Sequence, residues 1–183
     1  SGVLGSAVAM DKIVQKQITD QAGILSTKYD WFLSKDWKKE QNKILRRIEK
    51  KLKYPIFTKP ANLGSSVGIG KCHNRQELIK GINQAARFDR KIIVEQGINN
   101  IHEIEISVLG NDNPKASVPG EIIASNEFYD YDAKYVDGKS QAVIPAKLPA
   151  KIVSQLQNIA VQTFKVLDLS GLARVDFMVT KKS

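Results

Sequence analysis

The segment EIEISVLG, residues 103–110, constrains the fold most, because its side chains alternate strictly between polar and apolar. In an extended strand such alternation puts every second side chain on the same face, so one face is apolar and the other polar. The turn sequence GNDNP begins at its last residue and predicts an antiparallel return strand. The apolar face carries Ile104, Ile106 and Val108, and the polar face carries Glu103, Glu105 and Ser107.

A second alternating segment, LARVDFMV, lies near the end of the sequence and predicts another strand. Arg174 and Asp176 are two residues apart, so they share one face with Met178, and the opposite face is apolar. A salt bridge that only stabilises the strand would explain this pair. A metal-binding carboxylate beside an arginine that stabilises developing negative charge would explain it too, and phosphoryl transfer requires both groups.

Helical patterns surround these strands and predict helices over residues 5–22, 35–53, 75–88 and 150–167. Asn74 and Glu77 have the spacing of a capping box at the start of the third helix. YPIFTKP and KIIVEQ predict strands, whereas STKYDWFLSK is predicted to be irregular. The mixture of helices and strands, with one clear antiparallel pair, favours an α+β fold over a doubly wound parallel sheet. A weak boundary near residues 97–100 separates two α+β units.

Composition excludes several classes of protein. With 42% hydrophobic and 26% charged residues, the chain lacks the low apolar content of disordered proteins. Its one cysteine, Cys72, cannot form an internal disulfide, which argues against a disulfide-stapled secreted domain. No run approaches the ~20 apolar residues that span a bilayer, and the first residues lack the basic region of a signal peptide. We therefore expect a cytoplasmic protein without a membrane partner.

The net charge of +9 raises the question of nucleic-acid binding. Residues 35–53 hold nine basic and three acidic side chains, so most of the excess lies in one segment. Apolar side chains recur there at helical spacing, which places the charges on the solvated face of an amphipathic helix. These apolar residues are Ile44, Leu45, Ile48 and Leu52. Because no aromatic residues alternate with the charges, no nucleic-acid partner is expected, although a basic binding module remains an alternative.

The glycine-rich segment LGSSVGIG, residues 63–70, follows the predicted strand that carries Lys59. It would serve either as a surface turn between two strands or as a loop whose amide groups close over phosphates. Its spacing matches neither the dinucleotide-binding fingerprint nor the Walker loop. The segment alone therefore leaves both interpretations open.

Three charged residues near this segment are candidate ligand-binding groups. Lys59 is either a solvent-facing strand end or an anion clamp beside the loop amides. Lys12 lies in the otherwise apolar stretch VAMDKIV of a predicted helix, where a surface lysine with a buried stem is the favoured interpretation. Glu95 follows four apolar or basic strand residues and would lie at a strand end or in a cleft that recognises a nucleobase. His73 and His102 lack zinc-site spacing, and no Ser/His/Asp set can be assembled.

Several longer strings together resemble one enzyme family. In order they are MDKIVQK, YPIFTKPANLGSSVGIGK, IIVEQGIN, EIEISVLGNDNP, PGEII, FYDYDAKY, IPA and GLARVDFMV. These strings closely resemble the D-alanine:D-alanine ligases of the ATP-grasp superfamily over essentially the whole chain. The resemblance implies an ATP-grasp fold in which two α+β subdomains, 1–98 and 99–183, sandwich ATP. It also implies that ATP phosphorylates one D-alanine, and that the amine of a second D-alanine attacks the acyl phosphate.

The resemblance further implies which residues bind the nucleotide. Lys12 and Lys59 would hold ATP phosphates, and Lys134 would reach the terminal phosphate. The flexible loop over the phosphates would contain Gly64, Ser65 and Ser66. The adenine site would be lined by Glu95, Gln96 and Ile98. Glu103 would bind the ribose.

Catalytic roles are implied in the same way. Arg174 would stabilise the acyl phosphate and the tetrahedral intermediate, and Asp176 would bind Mg²⁺ or Mn²⁺. Tyr135 would form a lid contact with Ser65, and Tyr129 would belong to the same mobile segment. The tyrosine-bearing lid resembles that of ligases that form D-alanyl-D-alanine rather than an ester-linked product.

The resemblance covers only part of a complete ligase, which has further residues on both sides. We therefore expect this chain to be a central fragment with weak nucleotide binding and negligible ligase activity by itself. For the complete enzyme the resemblance implies a homodimer that serves synthesis of peptidoglycan precursors. Another ATP-grasp carboxylate-amine ligase would share the lysines and the Arg-x-Asp pair but not FYDYDAKY, and it remains an alternative.

Overall fold

The computed structural model describes residues 1–123 and 141–181. The described residues form five helices and nine strands in an α+β arrangement, which confirms the predicted fold class. The helices are α1 (Val3–Met10), α2 (Lys12–Gln21), α3 (Ser34–Lys51), α4 (Arg75–Ala85) and α5 (Ala150–Val166). The strands are β1 (Tyr29–Leu33), β2 (Ile56–Pro60), β3 (Gly70–Cys72), β4 (Lys91–Gln96), β5 (Ile101–Gly110), β6 (Lys115–Ala116), β7 (Gly120–Ile123), β8 (Gln141–Val143) and β9 (Gly171–Thr180). No helix among the described residues is long and apolar enough to cross a membrane.

The described residues divide into two compact units. The lysine unit comprises Met10–Ile13 and Ser26–Gly97, and it contains Lys12 and Lys59. The arginine unit comprises Ser1–Ala9, Val14–Leu25 and the described residues from Ile98 onward, and it contains Arg174. The chain passes from the lysine unit to the arginine unit between residues 97 and 98, within the weak boundary expected near residues 97–100. Most of residues 1–25, however, belong to the arginine unit. The division into ATP-grasp subdomains at 1–98 and 99–183 stays a prediction.

The lysine unit is a four-stranded antiparallel sheet, ordered β1-β4-β2-β3, with α3 and α4 on one face. The amphipathic pattern of α3 is confirmed, because its apolar side chains are buried against the sheet and its lysines and arginines are exposed. The core of this unit contains Trp37, Ile44, Leu45 and Ile48 from α3 and Leu78, Ile82 and Ala85 from α4. On the opposite face of the sheet, Ile93 is buried in a small cluster with Ile13 and Ala61.

The predicted helix over residues 5–22 is wrong in one respect, because the structure has two helices that are interrupted at Asp11. Asp11 is 8% exposed, and its Oδ1 accepts a hydrogen bond from the backbone N of Ile13 at 3.0 Å, as an N-cap does. The end near Gly23 is as predicted. Gly23 has φ of +73°, and the hydrogen bonds of Gly23 N to Asp20 O and of Ile24 N to Thr19 O form a Schellman motif.

The predicted irregular segment before α3 is also wrong in part, because Tyr29–Leu33 forms β1. This strand pairs antiparallel with β4, where Tyr29 lies opposite Glu95 and Leu33 opposite Lys91. Its buried Phe32 packs with Trp37 in the core, at 5.9 Å between ring centroids. Aromatic and branched residues favour strands, so the composition of this segment was a usable signal.

The arginine unit is built on β5, which pairs antiparallel with β9 on one side and with β6 and β7 on the other. Both alternating segments are therefore strands, and the predicted return strand is β6. Helix α5 packs on the apolar face of the sheet through Leu156, Ala160 and Phe164. Ile104, Ile106 and Val108 are at most 1% exposed on that face. The polar side chains of β5 and β9 therefore lie together on the face opposite α5.

Close packing of α4 on the sheet yields a stability prediction for Gly81, which lies inside the helix. A Cβ at this position would lie 2.6 Å from Thr58 Oγ1 and 2.9 Å from Cys72 Sγ. Although alanine favours helix formation, we expect Gly81→Ala to destabilise the chain by about 1–3 kcal/mol through overpacking. Urea unfolding measures this effect. Lys80→Ala, at an exposed neighbouring position of α4, should change the free energy of unfolding by less than about 0.5 kcal/mol. Equal values for the two variants would contradict this packing.

Candidate nucleotide site and arginine-carboxylate site

Lys59 and Glu95 form an ion pair on the face of the lysine-unit sheet that α3 and α4 leave uncovered. In the register of β2 and β4, Phe57 lies opposite Glu95, and Lys59 is two residues further along the same face. The side chains of Lys59 and Glu95 are 17% and 8% exposed, so both charges are largely removed from water. A buried pair of this kind is weak support for stability, but removal of either partner leaves a costly unpaired charge.

Lys12 lies at the first position of α2, and its ammonium is held by backbone carbonyls of the segment that leads into the glycine-rich loop. Its Nζ donates to Pro60 O at 3.2 Å and to Ala61 O at 3.3 Å, and it also donates to Leu63 O. Burial lowers the pKa of Lys12 to about 8, and repulsion from Lys59 acts in the same direction. Attraction to Glu95 opposes this shift. The structure therefore brings two cations, Lys12 and Lys59, under mutual electrostatic influence.

The lowered pKa of Lys12 predicts a pH dependence of stability. Between pH 8 and pH 10.5 the unfolded chain binds more protons at this group than the folded chain does, so the free energy of unfolding rises with pH. Relative to Lys12→Met, we expect the wild type to gain stability as the pH rises from about 8 to about 10.5. Urea unfolding at pH 7.5, 9 and 10 tests this expectation. A constant difference between the two proteins would contradict a depressed pKa.

The glycine-rich segment joins β2 to β3 as a loop over residues 61–69, so the strand-to-strand connection is confirmed. Val67 N donates to Gly64 O at 3.1 Å across a turn whose central residues are Ser65 and Ser66. Both have positive φ, 50° and 61°, as the central residues of a type I′ turn do. Non-glycine residues in this region cost free energy and are concentrated at functional sites. Phosphate binding by this loop stays a prediction.

The predicted adenine residues are not on one face. Glu95 shares its face with Lys59, whereas Gln96 is the next residue of β4 and points to the other face. The Gln96 Oε1 accepts a hydrogen bond from Lys53 N at 3.1 Å, which ties the end of α3 to the sheet. A role for Gln96 at the nucleotide would therefore fall to its backbone, and it stays a prediction. Ile98 belongs to the arginine unit.

The arginine unit brings a second group of charged residues together. Arg174 binds Asp176 in a bidentate pair, with Nε to Oδ1 at 2.7 Å and Nη2 to Oδ2 at 3.1 Å. Its Nη2 also lies 3.3 Å from Glu105 Oε1, because Glu105 faces Asp176 across β5 and β9. Arg174 and Asp176 are 55% and 60% exposed, so this is a solvated cluster rather than a buried salt bridge. The predicted shared face is confirmed, and its function stays a prediction.

Glu103 lies on the same face of β5 as Glu105, opposite Met178. The described residues contain no group of three histidine, cysteine, aspartate or glutamate side chains that could hold a metal ion. Asp176, the predicted metal ligand, is instead paired with Arg174. These residues therefore do not by themselves form a Mg²⁺ or Mn²⁺ site, which needs about six oxygen ligands.

Three predicted residues, Lys134, Tyr135 and Tyr129, lie outside the described residues. Two described residues with contacts in the candidate sites were not among the predicted site residues. Asp11 caps α2 and pairs with Lys91, and Glu105 contacts Arg174. An aspartate inside a helical pattern, where it can cap a new helix, and a glutamate on the polar face of β5 were signals for them.

The α+β fold and its structural neighbours define an ATP-grasp protein. The crystal structure of the VanG D-Ala:D-Ser ligase from Enterococcus faecalis matches with a TM-score of 0.84 and 36% identity, over 97% of this chain and 50% of that one. The structure of the D-alanine-D-alanine ligase from Coxiella burnetii matches with a TM-score of 0.80 and 32% identity, over 98% of this chain and 46% of that one.

The family model described as the D-ala D-ala ligase C-terminus matches residues 18–183, so the chain belongs to the D-Ala-D-Ala ligase family. Two relatives are named D-alanine–D-alanine ligase. That of Natranaerobius thermophilus is 52% identical over 179 residues, which are 98% of this chain and 49% of the relative. That of Bacillus velezensis is 51% identical over 180 residues, which are 98% of this chain and 51% of the relative. The chain thus spans about half the length of these relatives.

Proposed function

We propose that this chain is the ATP-binding part of a D-alanine:D-alanine ligase. The observation that carries the proposal is identity of 52% and 51% to two proteins of that name over 98% of the chain. The reaction would join two D-alanine molecules for the synthesis of peptidoglycan precursors. We propose the cytoplasm as its location and a homodimer as the form of the complete enzyme.

The lysine unit fits the triphosphate of ATP. Two lysines whose ammonium groups repel each other gain from an anion placed near both, because it offsets their repulsion and their loss of water. Lys12 and Lys59 would hold phosphates, and Gly64, Ser65 and Ser66 would cover them with backbone amides. Glu95 would leave its pair with Lys59 to recognise adenine together with the backbone of Gln96 and Ile98. Glu103 would bind the ribose.

ATP would supply the phosphoryl group that converts the carboxylate of the first D-alanine into an acyl phosphate. Arg174 would stabilise the negative charge that develops as the second amine attacks. Lys134 would bind the terminal phosphate, and Tyr135 would contact Ser65 and exclude water, with Tyr129 in the same segment. Asp176 would be one ligand of Mg²⁺ or Mn²⁺, and the remaining ligands would come from outside the described residues.

The experiment uses the complete polypeptide, purified and supplied with ATP, Mg²⁺ and D-alanine. We expect release of phosphate and D-alanyl-D-alanine in equal amounts, which mass spectrometry and a phosphate assay measure. D-Serine offered with D-alanine tests the activity named for the structural neighbour, which is only 36% identical. Phosphate release with another amine, but not with D-alanine, would indicate a different carboxylate-amine ligase. Salt-sensitive binding of nucleic acid without any response to ATP would indicate a basic binding module.

A further inference from the structure

We propose that Asp11 is a positioning residue that, through Lys91, fixes Lys12 for phosphate binding. The inference rests on the proposed function of Lys12 at ATP. It concerns four neighbouring parts of the lysine unit: the start of α2, the end of β2, the start of β4 and residues 61–63 of the glycine-rich loop, which we call the loop root. Asp11 touches no phosphate in this scheme and acts through its neighbour Lys12.

The two carboxylate oxygens of Asp11 have separate partners. Oδ1 accepts from Ile13 N at 3.0 Å and caps α2, and Oδ2 accepts from the ammonium of Lys91. The side chains of Asp11 and Lys91 are 12% and 16% exposed, so the pair is shielded from water. A largely buried charge pair that is also tied to a helix end restrains that end more than a surface pair would.

Backbone hydrogen bonds of Ala61 connect Lys12 to Lys91. Lys12 N donates to Ala61 O at 3.0 Å, and Ala61 N donates to Lys91 O at 3.0 Å. The side chain of Lys91 forms an ion pair with Asp11. Because Asp11 precedes Lys12 in the chain, these contacts form a closed ring. The backbone of Lys12 is therefore fixed to Ala61 and, through Ala61 and Asp11, to Lys91 of β4. The ammonium of Lys12 reaches the carbonyls of Pro60, Ala61 and Leu63.

The same loop root has a second anchor, Asp89, which does not involve α2. Asp89 Oδ2 accepts from Asn62 N at 2.9 Å and from Asn62 Nδ2 at 2.8 Å, and Oδ1 accepts from Lys91 N at 3.1 Å. Because Asp89 holds Asn62 between Ala61 and Leu63, we expect the carbonyls that hold Lys12 to stay in place when Asp11 is replaced. Loss of the Asp11–Lys91 pair should therefore displace Lys12 relative to the loop rather than unfold the loop.

The substitution Asp11→Asn separates the two functions of Asp11. The single side-chain oxygen of the variant can still cap α2, but its amide nitrogen is a donor and cannot accept from Lys91. In the complete polypeptide, we expect Asp11→Asn to weaken ATP binding about tenfold and to leave adenosine binding unchanged. Asp20→Asn, which removes the same charge from an exposed position of α2, should leave both affinities at the wild-type value.

A double-mutant cycle with Lys12→Met tests whether Asp11 acts through Lys12, with isothermal titration of ATP and of adenosine as readouts. We expect Asp11→Asn/Lys12→Met to bind ATP within about twofold of Lys12→Met alone, because Asp11 has nothing left to position. If the single effects multiply in the double variant, or if Asp11→Asn binds ATP like wild type, the inference is overturned.

Failure of the proposed function would look different, because the wild type itself would then bind ATP no better than adenosine. If Asp11→Asn does not fold, Lys91→Met breaks the same ion pair from its other end, and the cycle is repeated with it. Equal loss of ATP and adenosine affinity in either variant would show a general structural defect and would also overturn the positioning role.

Discussion

In the complete polypeptide, replacing Arg174 with methionine is expected to lower kcat of the proposed ligase reaction by about 10²- to 10³-fold. The guanidinium is the positive group on the polar face of β9, where it contacts both Asp176 and Glu105. A preorganised donor that faces developing negative charge contributes this much in other enzymes. The measurement is the rate of D-alanyl-D-alanine formation at saturating ATP and D-alanine.

The control for Arg174→Met is stability. Arg174 and Asp176 are 55% and 60% exposed, and exposed ion pairs contribute about 0–1 kcal/mol. The free energy of unfolding should therefore change little, and the Arg174→Lys variant should recover only part of the rate because lysine cannot form the bidentate contact. A variant that is strongly destabilised, or one that keeps wild-type turnover, would refute a catalytic role for this side chain.

Replacing Lys59 with methionine is expected to remove most ATP binding and to lower stability at the same time. The substitution removes a cation proposed for the phosphates and leaves the carboxylate of Glu95, whose side chain is 8% exposed, without that partner. Breaking a buried pair in this way costs about 3–5 kcal/mol. Urea unfolding measures the stability, and the thermal shift with ATP measures binding.

The double variant Lys59→Met/Glu95→Gln separates these two effects. The neutral amide removes the carboxylate charge that has lost Lys59, so we expect part of the lost stability to return. ATP should still produce almost no thermal shift, whereas a ligand at 100 times its Kd stabilises the wild type by about 2.7 kcal/mol. Recovery of ATP binding in the double variant would mean that Lys59 matters only as a partner of Glu95.

Local patterns in the sequence predicted most of the framework. The period of two in β5 and β9 survives because each strand has one face on α5 and one face with charged side chains. The capping box at α4 is local too: Asn74 Oδ1 accepts from Glu77 N at 3.0 Å, and Glu77 Oε2 accepts from His73 N at 2.7 Å. Apart from the antiparallel return of β5 to β6, the order and pairing of the strands depend on the whole chain and were not predicted.

The contacts that define the candidate sites were less accessible from the sequence. Lys59 and Glu95 are 36 residues apart, and their pairing follows from the antiparallel register of β2 and β4. Asp11 and Lys91 are 80 residues apart, so the break between α1 and α2 has a long-range component that helical periodicity does not contain. The residue types in the sequence indicated which charged side chains are candidates for anion binding. Tertiary packing decides which of these charges form ion pairs.

A crystal structure of the complete protein with a non-hydrolysable ATP analogue tests most directly whether Lys12 and Lys59 bind phosphates. We expect phosphate oxygens within hydrogen-bonding distance of Nζ of both lysines, with Lys59 moved away from Glu95. Phosphates bound elsewhere, with Lys59 still paired to Glu95 and Lys12 still held by the loop carbonyls, would contradict phosphate binding by these two lysines.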